Sequence, residues 1–85
     1  MKSIVNFLND LYLDAYLVDI WDDNKHLVSF IMNPISEINI EENVARLYDD
    51  DENMIVIYFD NGTLSQEDDR VLIKVGTKEY SFIKI

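Results

Sequence analysis

The groups that could do chemistry in this chain are almost all carboxylates. Seventeen Asp and Glu residues stand against seven Lys and Arg, one histidine and no cysteine, and the formal net charge is −10. A pair of carboxylates can act as general acid and base when a cleft holds them at a defined separation. A chain of 85 residues leaves little room for such a cleft. The carboxylates alone therefore do not predict a hydrolase.

The single histidine, His26, follows a turn segment and has no nucleophile near it in the sequence. The absence of cysteine excludes thiol catalysis and thiolate metal sites. A serine nucleophile would have to be brought to His26 by the fold, and no G-x-S-x-G segment marks one. Two glycines are too few for a phosphate-cradling loop. We therefore expect no enzyme activity and no cofactor.

A calcium site is the one metal centre that the spacing suggests. Asp49, Asp51 and Asn53 match positions 1, 3 and 5 of an EF-hand loop. The match ends there, because position 6 is Met54 rather than glycine and position 12 is Asp60 rather than a bidentate glutamate. No pair of flanking helices is evident in the pattern. We therefore expect a solvated hairpin turn and no metal.

The acidic residues concentrate in four clusters at predicted turns and edges. Packing like charges together lowers the stability of the fold. Four such clusters are more than solubility alone requires. Whether they share one face is left open by the sequence, as is whether Trp21 belongs to the core or to an interface. The residues predicted to contact a partner are these acids and two neighbouring aromatics: Asp19, Trp21, Asp22, Asp23, Glu37, Glu41, Glu42, Tyr48, Asp49, Asp50, Asp51, Glu52, Glu67, Asp68 and Asp69.

The charge balance indicates which classes of partner the chain can bind. A nucleic-acid binder needs cations to neutralise phosphates, and a peripheral membrane protein needs them to meet anionic lipid. A pI near 4.2 argues against both and favours attraction to basic proteins. The N-terminal residues lack the apolar core of a signal peptide. We therefore expect a cytoplasmic protein that binds neither nucleic acid nor membrane.

The first element that must position these groups is an amphipathic helix over residues 3–13. Ser3 would be its N-cap. A role on a membrane surface would need a basic polar face, which Asn6, Asn9 and Asp10 do not provide. We expect the helix to pack on a sheet. Its apolar face would consist of Ile4, Phe7, Leu8, Leu11 and Tyr12.

Strands are predicted from alternation and from turn residues. Residues 15–21 and 26–32 read as a hairpin closed by Asp22–Lys25. Pro34 ends this unit because it cannot donate a ladder hydrogen bond. Ile35 to Glu42 then suits a short edge strand.

The middle of the chain is organised around Met54–Phe59. These six apolar or aromatic residues, too few to span a bilayer, predict a central strand buried on both faces. Val44–Tyr48 is predicted to pair with it through the Asp49–Asn53 turn. A two-turn helix over residues 41–48 is the alternative. The segment from Thr63 to Asp69 reads as a polar excursion.

The C-terminal region predicts a second hairpin. Arg70–Val75 and Glu79–Ile85 flank Gly76 and Thr77, and glycine at the first central position fits a type II′ turn. These elements together predict an α+β fold in one domain, residues 1–85. The N-terminal helix would pack on a curved, mostly antiparallel sheet of five or six strands, or on a small partly open barrel.

The function that this pattern favours is binding to a basic nucleic-acid-binding protein. The carboxylates would occupy the cationic groove of such an enzyme or effector by DNA mimicry and thereby inhibit or regulate it. In size and charge the chain is similar to small acidic phage proteins that mimic DNA, such as uracil-DNA glycosylase inhibitors, anti-restriction proteins and some anti-CRISPR proteins. This likeness is one of composition.

Two alternatives stay open at this point. The chain would fit an immunity protein or antitoxin that neutralises a basic nuclease toxin. It would also fit a structural or self-assembling module, including a homodimer. Exposed Trp21, Tyr48, Tyr58 or Tyr80, or an open edge at Glu79–Ile85, would then form the interface.

Overall fold

The computed structural model describes residues 3–85 and contains one α-helix and eight strands within them. The α+β class, with an N-terminal helix and antiparallel strands, is confirmed. The helix α1 spans Ile4–Asn9 and continues as a 3-10 turn over Asp10–Tyr12. The strands are β1 Tyr16–Asp22, β2 Lys25–Met32, β3 Ile35–Glu41, β4 Val44–Asp49, β5 Met54–Tyr58, β6 Thr63–Gln66, β7 Arg70–Val75 and β8 Lys78–Lys84.

The strands form two antiparallel sheets, and neither is closed into a barrel. A five-stranded sheet has the order β2-β1-β8-β7-β6, and a three-stranded sheet has the order β3-β4-β5. The chain leaves the first sheet after Met32, where Asn33 and Pro34 break the ladder, and returns to it at Thr63. The strand number exceeds the expected five or six partly because Thr63–Gln66, expected to be irregular, pairs with β7.

The two predicted hairpins form with their predicted turns. Asp23 and Asn24 between β1 and β2 have φ of 52° and 66°, which is typical of a type I′ turn. Gly76 has φ of 60° and Thr77 has no positive φ, as the predicted type II′ turn requires. These tight turns set the register of both hairpins.

The helix is capped as predicted but ends sooner. The backbone N–H of Asn6 donates to Ser3 Oγ at 3.1 Å. Phe7 and Leu8 are buried, whereas Tyr12, which was expected on the same face, is 43% exposed. The backbone tightens from 3.6 to about 3.0 residues per turn after Asn9, and this rotation carries Tyr12 away from the apolar face.

One hydrophobic core lies between α1 and the inner faces of both sheets. In β1 and β8 the core residues alternate with residues directed outward, and the same holds for β4 and β5. Each sheet therefore has an inner and an outer face. The core residues are Phe7, Leu8, Leu11, Val18, Met32, Ile35, Ala45, Leu47, Ile55, Ile57, Ile73, Tyr80 and Phe82.

Two expectations about position in the sheets are wrong. The run Met54–Phe59 provides β5, which is an edge strand paired with β4 alone, and its alternate residues are exposed. The central strand of that sheet is β4, Val44–Asp49. The expected open edge at Glu79–Ile85 is instead β8, which is paired with β1 on one side and β7 on the other. Continuous apolar runs misled the first prediction, because periodicity cannot show which apolar residues face outward.

Candidate functional site

The outer face of the three-stranded sheet brings exposed aromatic, apolar and acidic side chains together. We call it the small-sheet face. The inward positions of β4 and β5 are the core residues Ala45, Leu47, Ile55 and Ile57, so the alternate positions face out. The small-sheet face consists of Glu37, Asn39 and Glu41 on β3, Val44, Arg46 and Tyr48 on β4, and Met54, Val56 and Tyr58 on β5.

The β5 side of the small-sheet face is apolar, and Val44 and Tyr48 continue this character at the two ends of β4. Tyr58 is 61% exposed and Met54 is 54% exposed, which is high for side chains of this size. The register places Met54 beside Tyr48 and Tyr58 beside Val44. Aromatic side chains and methionine are enriched in protein interfaces, so this arrangement is suited to contact with another protein.

Carboxylates border the small-sheet face on three sides. Glu37 and Glu41 lie along the free edge of β3. Glu42 is exposed in the β3–β4 turn at one end of the sheet, and Asp50–Glu52 are exposed in the β4–β5 turn at the other. Seven of the predicted contact residues, including Tyr48, are thus assembled on or around one surface.

Arg46 is the feature of this face that the sequence analysis missed. It lies in the middle row, between Asn39 and Val56, and is the only cation at the nine positions of the face. Within residues 3–85 its guanidinium has no ion pair or hydrogen bond. The alternation of β4 could have revealed its outward position, because Ala45 and Leu47 on either side are apolar.

Asp49 faces the interior, unlike the three acids that follow it. It is 6% exposed, and it continues the inward row of Ala45 and Leu47. Its Oδ1 accepts hydrogen bonds from the backbone N–H groups of Asp51 at 3.0 Å and Asn53 at 2.9 Å. Its role in this geometry is to hold the β4–β5 turn.

The second carboxylate oxygen of Asp49 connects the β4–β5 turn to Asn33, in the segment that crosses from one sheet to the other. Oδ2 accepts from the Asn33 backbone N–H at 3.0 Å and from Asn53 Nδ2 at 2.8 Å. Asn33 Nδ2 also donates to Asp51. Partial burial raises the pKa of the Asp49 carboxyl, but these hydrogen bonds outweigh it, so its pKa lies below its ordinary value.

The first acidic cluster lies elsewhere, and lysines occupy the neighbouring positions on both adjacent strands. Asp22 pairs in register with Lys25 on β2 and with Lys78 on β8. It also accepts a hydrogen bond from Thr77 Oγ1 at 2.7 Å. Asp23 is exposed in the adjoining turn. This end of the five-stranded sheet is therefore less negative than its acids alone suggest.

Trp21 and Asp19 lie on the outer face of the five-stranded sheet, which we call the large-sheet face. The indole is half-buried, and its ring centroid lies 4.8 Å from that of His26. His26 Nε2 lies 3.0 Å from Asp19 Oδ1. Trp21 is thus outside the core, and it faces away from the small-sheet face.

The last cluster, Glu67–Asp69, occupies the β6–β7 turn at the opposite end of the five-stranded sheet from Asp22. The register pairs Arg70 with Ile83 at this end and Asp22 with Lys78 at the other. The two ends are separated by the length of β1, about 20 Å at roughly 3.3 Å per residue. The four clusters therefore do not form one continuous row.

Within residues 3–85 no serine is hydrogen-bonded to His26. Ser81 lies opposite Asp19 in the sheet, and its Oγ is the one buried side-chain polar atom of the described chain without a hydrogen-bond partner. The ring of His26 is instead bonded to Asp19. Tyr80, considered as an interface residue, is 3% exposed and belongs to the core.

Residues 3–85 contain neither a metal-binding cluster nor a membrane-spanning helix. No group of three or more His, Asp or Glu side chains there is placed to hold a metal ion. No helix in the same range is long and apolar enough to cross a membrane. The expectation about the N-terminus depends in part on Met1 and Lys2, which lie outside the described residues.

Comparison with known proteins identifies no relative of this chain. A scan against protein-family models and searches of curated proteins and of solved structures find no match to the chain. The functional interpretation therefore depends on the surface geometry and charge of the chain itself.

Proposed function

We propose that the chain is a non-enzymatic binding protein that docks on a basic surface of a nucleic-acid-binding enzyme or effector and inhibits or regulates it. The observation that carries this proposal is the small-sheet face, which has exposed Tyr58 and Met54 along its β5 side and carboxylates along its other three sides. Large aromatic side chains that become buried in an interface supply much of the binding energy. Charges at its rim speed association and select partners of opposite charge.

The proposal assigns the contact to part of the originally predicted set. Glu37, Glu41, Glu42, Tyr48 and Asp50–Glu52 would contact or face the partner, joined by Met54 and Tyr58. Asp49 would keep the β4–β5 turn in shape. The turns at Asp22 and Glu67–Asp69 would contribute only to the long-range field, which salt screens over about 8 Å at physiological ionic strength.

Inhibition would follow because the carboxylates take the place of phosphates in the partner's cationic groove. Duplex DNA carries about one charge per 1.7 Å of axis, which is denser than the border of the small-sheet face. The apolar β5 side of the face would then have to supply affinity that charge alone does not. Binding should therefore weaken with salt without being abolished by it.

The test uses the partner captured by the full chain from a lysate of the cells that naturally produce it. The purified partner is bound to the chain at low and high salt, with and without duplex DNA. A basic partner, weaker binding at high salt and displacement by DNA are the expected results. A partner with an acidic surface, or an affinity unchanged by both salt and DNA, would contradict the proposal.

A further inference from the structure

The large-sheet face is an uncovered layer of the fold. Both α1 and the three-stranded sheet pack on the inner face of the five-stranded sheet. The inward residues of β1 and β8 are Val18, Tyr80 and Phe82, so the alternate residues of these strands face outward. No element of residues 3–85 forms a second layer on that side. An antiparallel sheet in this position is normally polar on its open face.

Apolar side chains nevertheless lie at both ends of this face, on either side of a polar row formed by Ser29, Asp19 and Ser81. Ile31 is 57% exposed, and the half-buried Leu17 and Ile83 are paired with each other in register. Trp21 lies at the other end of the face, towards Asp22, and Asp19 separates it from Leu17 on β1. Leu72 is buried by its neighbours although it lies outside the hydrophobic core cluster.

The charges on the large-sheet face balance. Asp19 is bonded to His26, and Glu79 lies 3.6 Å from Lys74. Arg70 is the remaining charged residue at the outward positions, and it lies 3.5 Å from Asp69 of the adjoining turn. The two carboxylates are thus matched by two cations in a chain whose net charge is −10. A basic partner would gain no electrostatic attraction here, whereas a second copy would meet little repulsion.

We propose that two copies of this chain form a symmetric dimer through their large-sheet faces. Five strands at about 4.8 Å spacing and seven residues at about 3.3 Å give a projected area of roughly 550 Å². Stable interfaces bury about 800 Å² of accessible surface per partner, and accessible area exceeds projected area. A two-fold interface between these faces is therefore of a suitable size.

The dimer would leave both small-sheet faces free, because each lies on the far side of its own core. It would present two copies of the proposed docking surface and bind a repeated or dimeric partner with higher avidity. The dimer does not depend on the proposed function. Either one can fail while the other stands.

The experiment is sedimentation velocity of the full chain over a range of concentrations at low and high salt. The chain has one tryptophan, and Trp21 lies on the proposed interface, so its fluorescence is followed in parallel. The expected result is a dimer that resists high salt and whose tryptophan emission shifts to shorter wavelength as it forms. A monomer at every concentration would overturn the proposal.

Matched variants locate the interface. Leu17→Lys should weaken dimerisation at least about tenfold, since it places a charge in an apolar interface. Tyr58→Lys, which adds the same charge on the small-sheet face, should leave the dimer intact. Ile31→Lys, at an exposed position on edge strand β2, serves as the second variant if Leu17→Lys does not fold. Loss of the dimer in Tyr58→Lys with retention in both other variants would contradict the assignment.

Discussion

Both oxygens of the Asp49 carboxylate accept hydrogen bonds from Asn53. Oδ1 accepts from the Asn53 backbone N–H at 2.9 Å, and Oδ2 accepts from the Asn53 side-chain amide at 2.8 Å. Further bonds to Oδ2 and Oδ1 come from the backbone N–H groups of Asn33 and Asp51. One carboxylate thus holds both the β4–β5 turn and the crossing between the two sheets.

The first prediction concerns the stability that this carboxylate provides. Asp49→Asn keeps the shape of the side chain but replaces one accepting oxygen by a donating amide, which leaves partly buried donors unpaired. We expect the free energy of unfolding to fall by about 1–3 kcal/mol. Asp50→Asn, at an exposed position of the same turn, is the control and should change it by less than about 0.5 kcal/mol. Urea unfolding measures both, and equal losses would show that Asp49 has no special role.

The second prediction is the pH dependence of that contribution. The pKa of Asp49 is lower in the folded chain than in the unfolded chain. The stabilisation is therefore fully present above the unfolded pKa of about 3.9 and is lost as the pH falls through the folded pKa. The difference in unfolding free energy between the wild type and Asp49→Asn should shrink below about pH 4. A difference that stays constant from neutral pH into this acidic range would contradict the assigned shift.

The third prediction contrasts the two glycines. A Cβ at Gly62 would lie 2.9 Å from the Phe59 carbonyl oxygen and 3.1 Å from a methyl group of Val75. Space around Gly76 is open, but its φ is 60°. Gly62→Ala should cost about 1–3 kcal/mol through steric overlap. Gly76→Ala should cost about 1 kcal/mol through backbone strain.

Asparagine separates these two causes, since it tolerates positive φ better than alanine but is larger. Gly76→Asn should be more stable than Gly76→Ala, whereas Gly62→Asn should be no better than Gly62→Ala. Thermal unfolding of the four variants provides the comparison. Rescue by asparagine at both positions would refute the steric explanation for Gly62.

The fourth prediction divides the small-sheet face into an apolar β5 side and an acidic border. With the captured partner immobilised, Tyr58→Ala should mainly raise the dissociation rate, because it removes a large aromatic contact. The double variant Glu37→Gln and Glu41→Gln should mainly lower the association rate, because it weakens steering. Surface plasmon resonance resolves the two rates. The reverse assignment of effects would refute this division of roles.

Much of the fold could be predicted because local signals agreed with the tertiary structure. Ser3 caps the helix, and Gly76 with Thr77 closes the last hairpin as the turn residues indicate. The choice of a strand at Val44–Tyr48 over a helix was also correct. These features depend on residues near one another in the chain, so the sequence contains the information directly.

It was harder to predict which side of its sheet each residue faces. Met54, Val56 and Tyr58 look like core residues, although they alternate with Ile55 and Ile57 and face outward. Four consecutive acids at Asp49–Glu52 look equivalent, although the alternation of β4 turns only Asp49 inward. Separation of the acidic clusters depends on which strands are neighbours, and pairing between distant segments is not encoded in any local pattern.

The central claim is that a basic partner contacts the small-sheet face specifically. The alternative is that the chain's net negative charge attracts the partner regardless of where the carboxylates lie. Two triple variants remove the same three charges in different places. One carries Glu37→Gln, Glu41→Gln and Glu42→Gln at the border of the face. The other carries Glu67→Gln, Asp68→Asn and Asp69→Asn in the β6–β7 turn.

The measurement is the affinity of the captured partner for the wild type and for each triple variant at one fixed salt concentration. We predict that the border variant loses at least about tenfold in affinity, which corresponds to about 1.4 kcal/mol. The turn variant should lose less than about threefold, because its charges lie on the other sheet, outside the face, and act only through the screened long-range field. Equal losses, or a larger loss in the turn variant, would contradict the assignment of the binding surface.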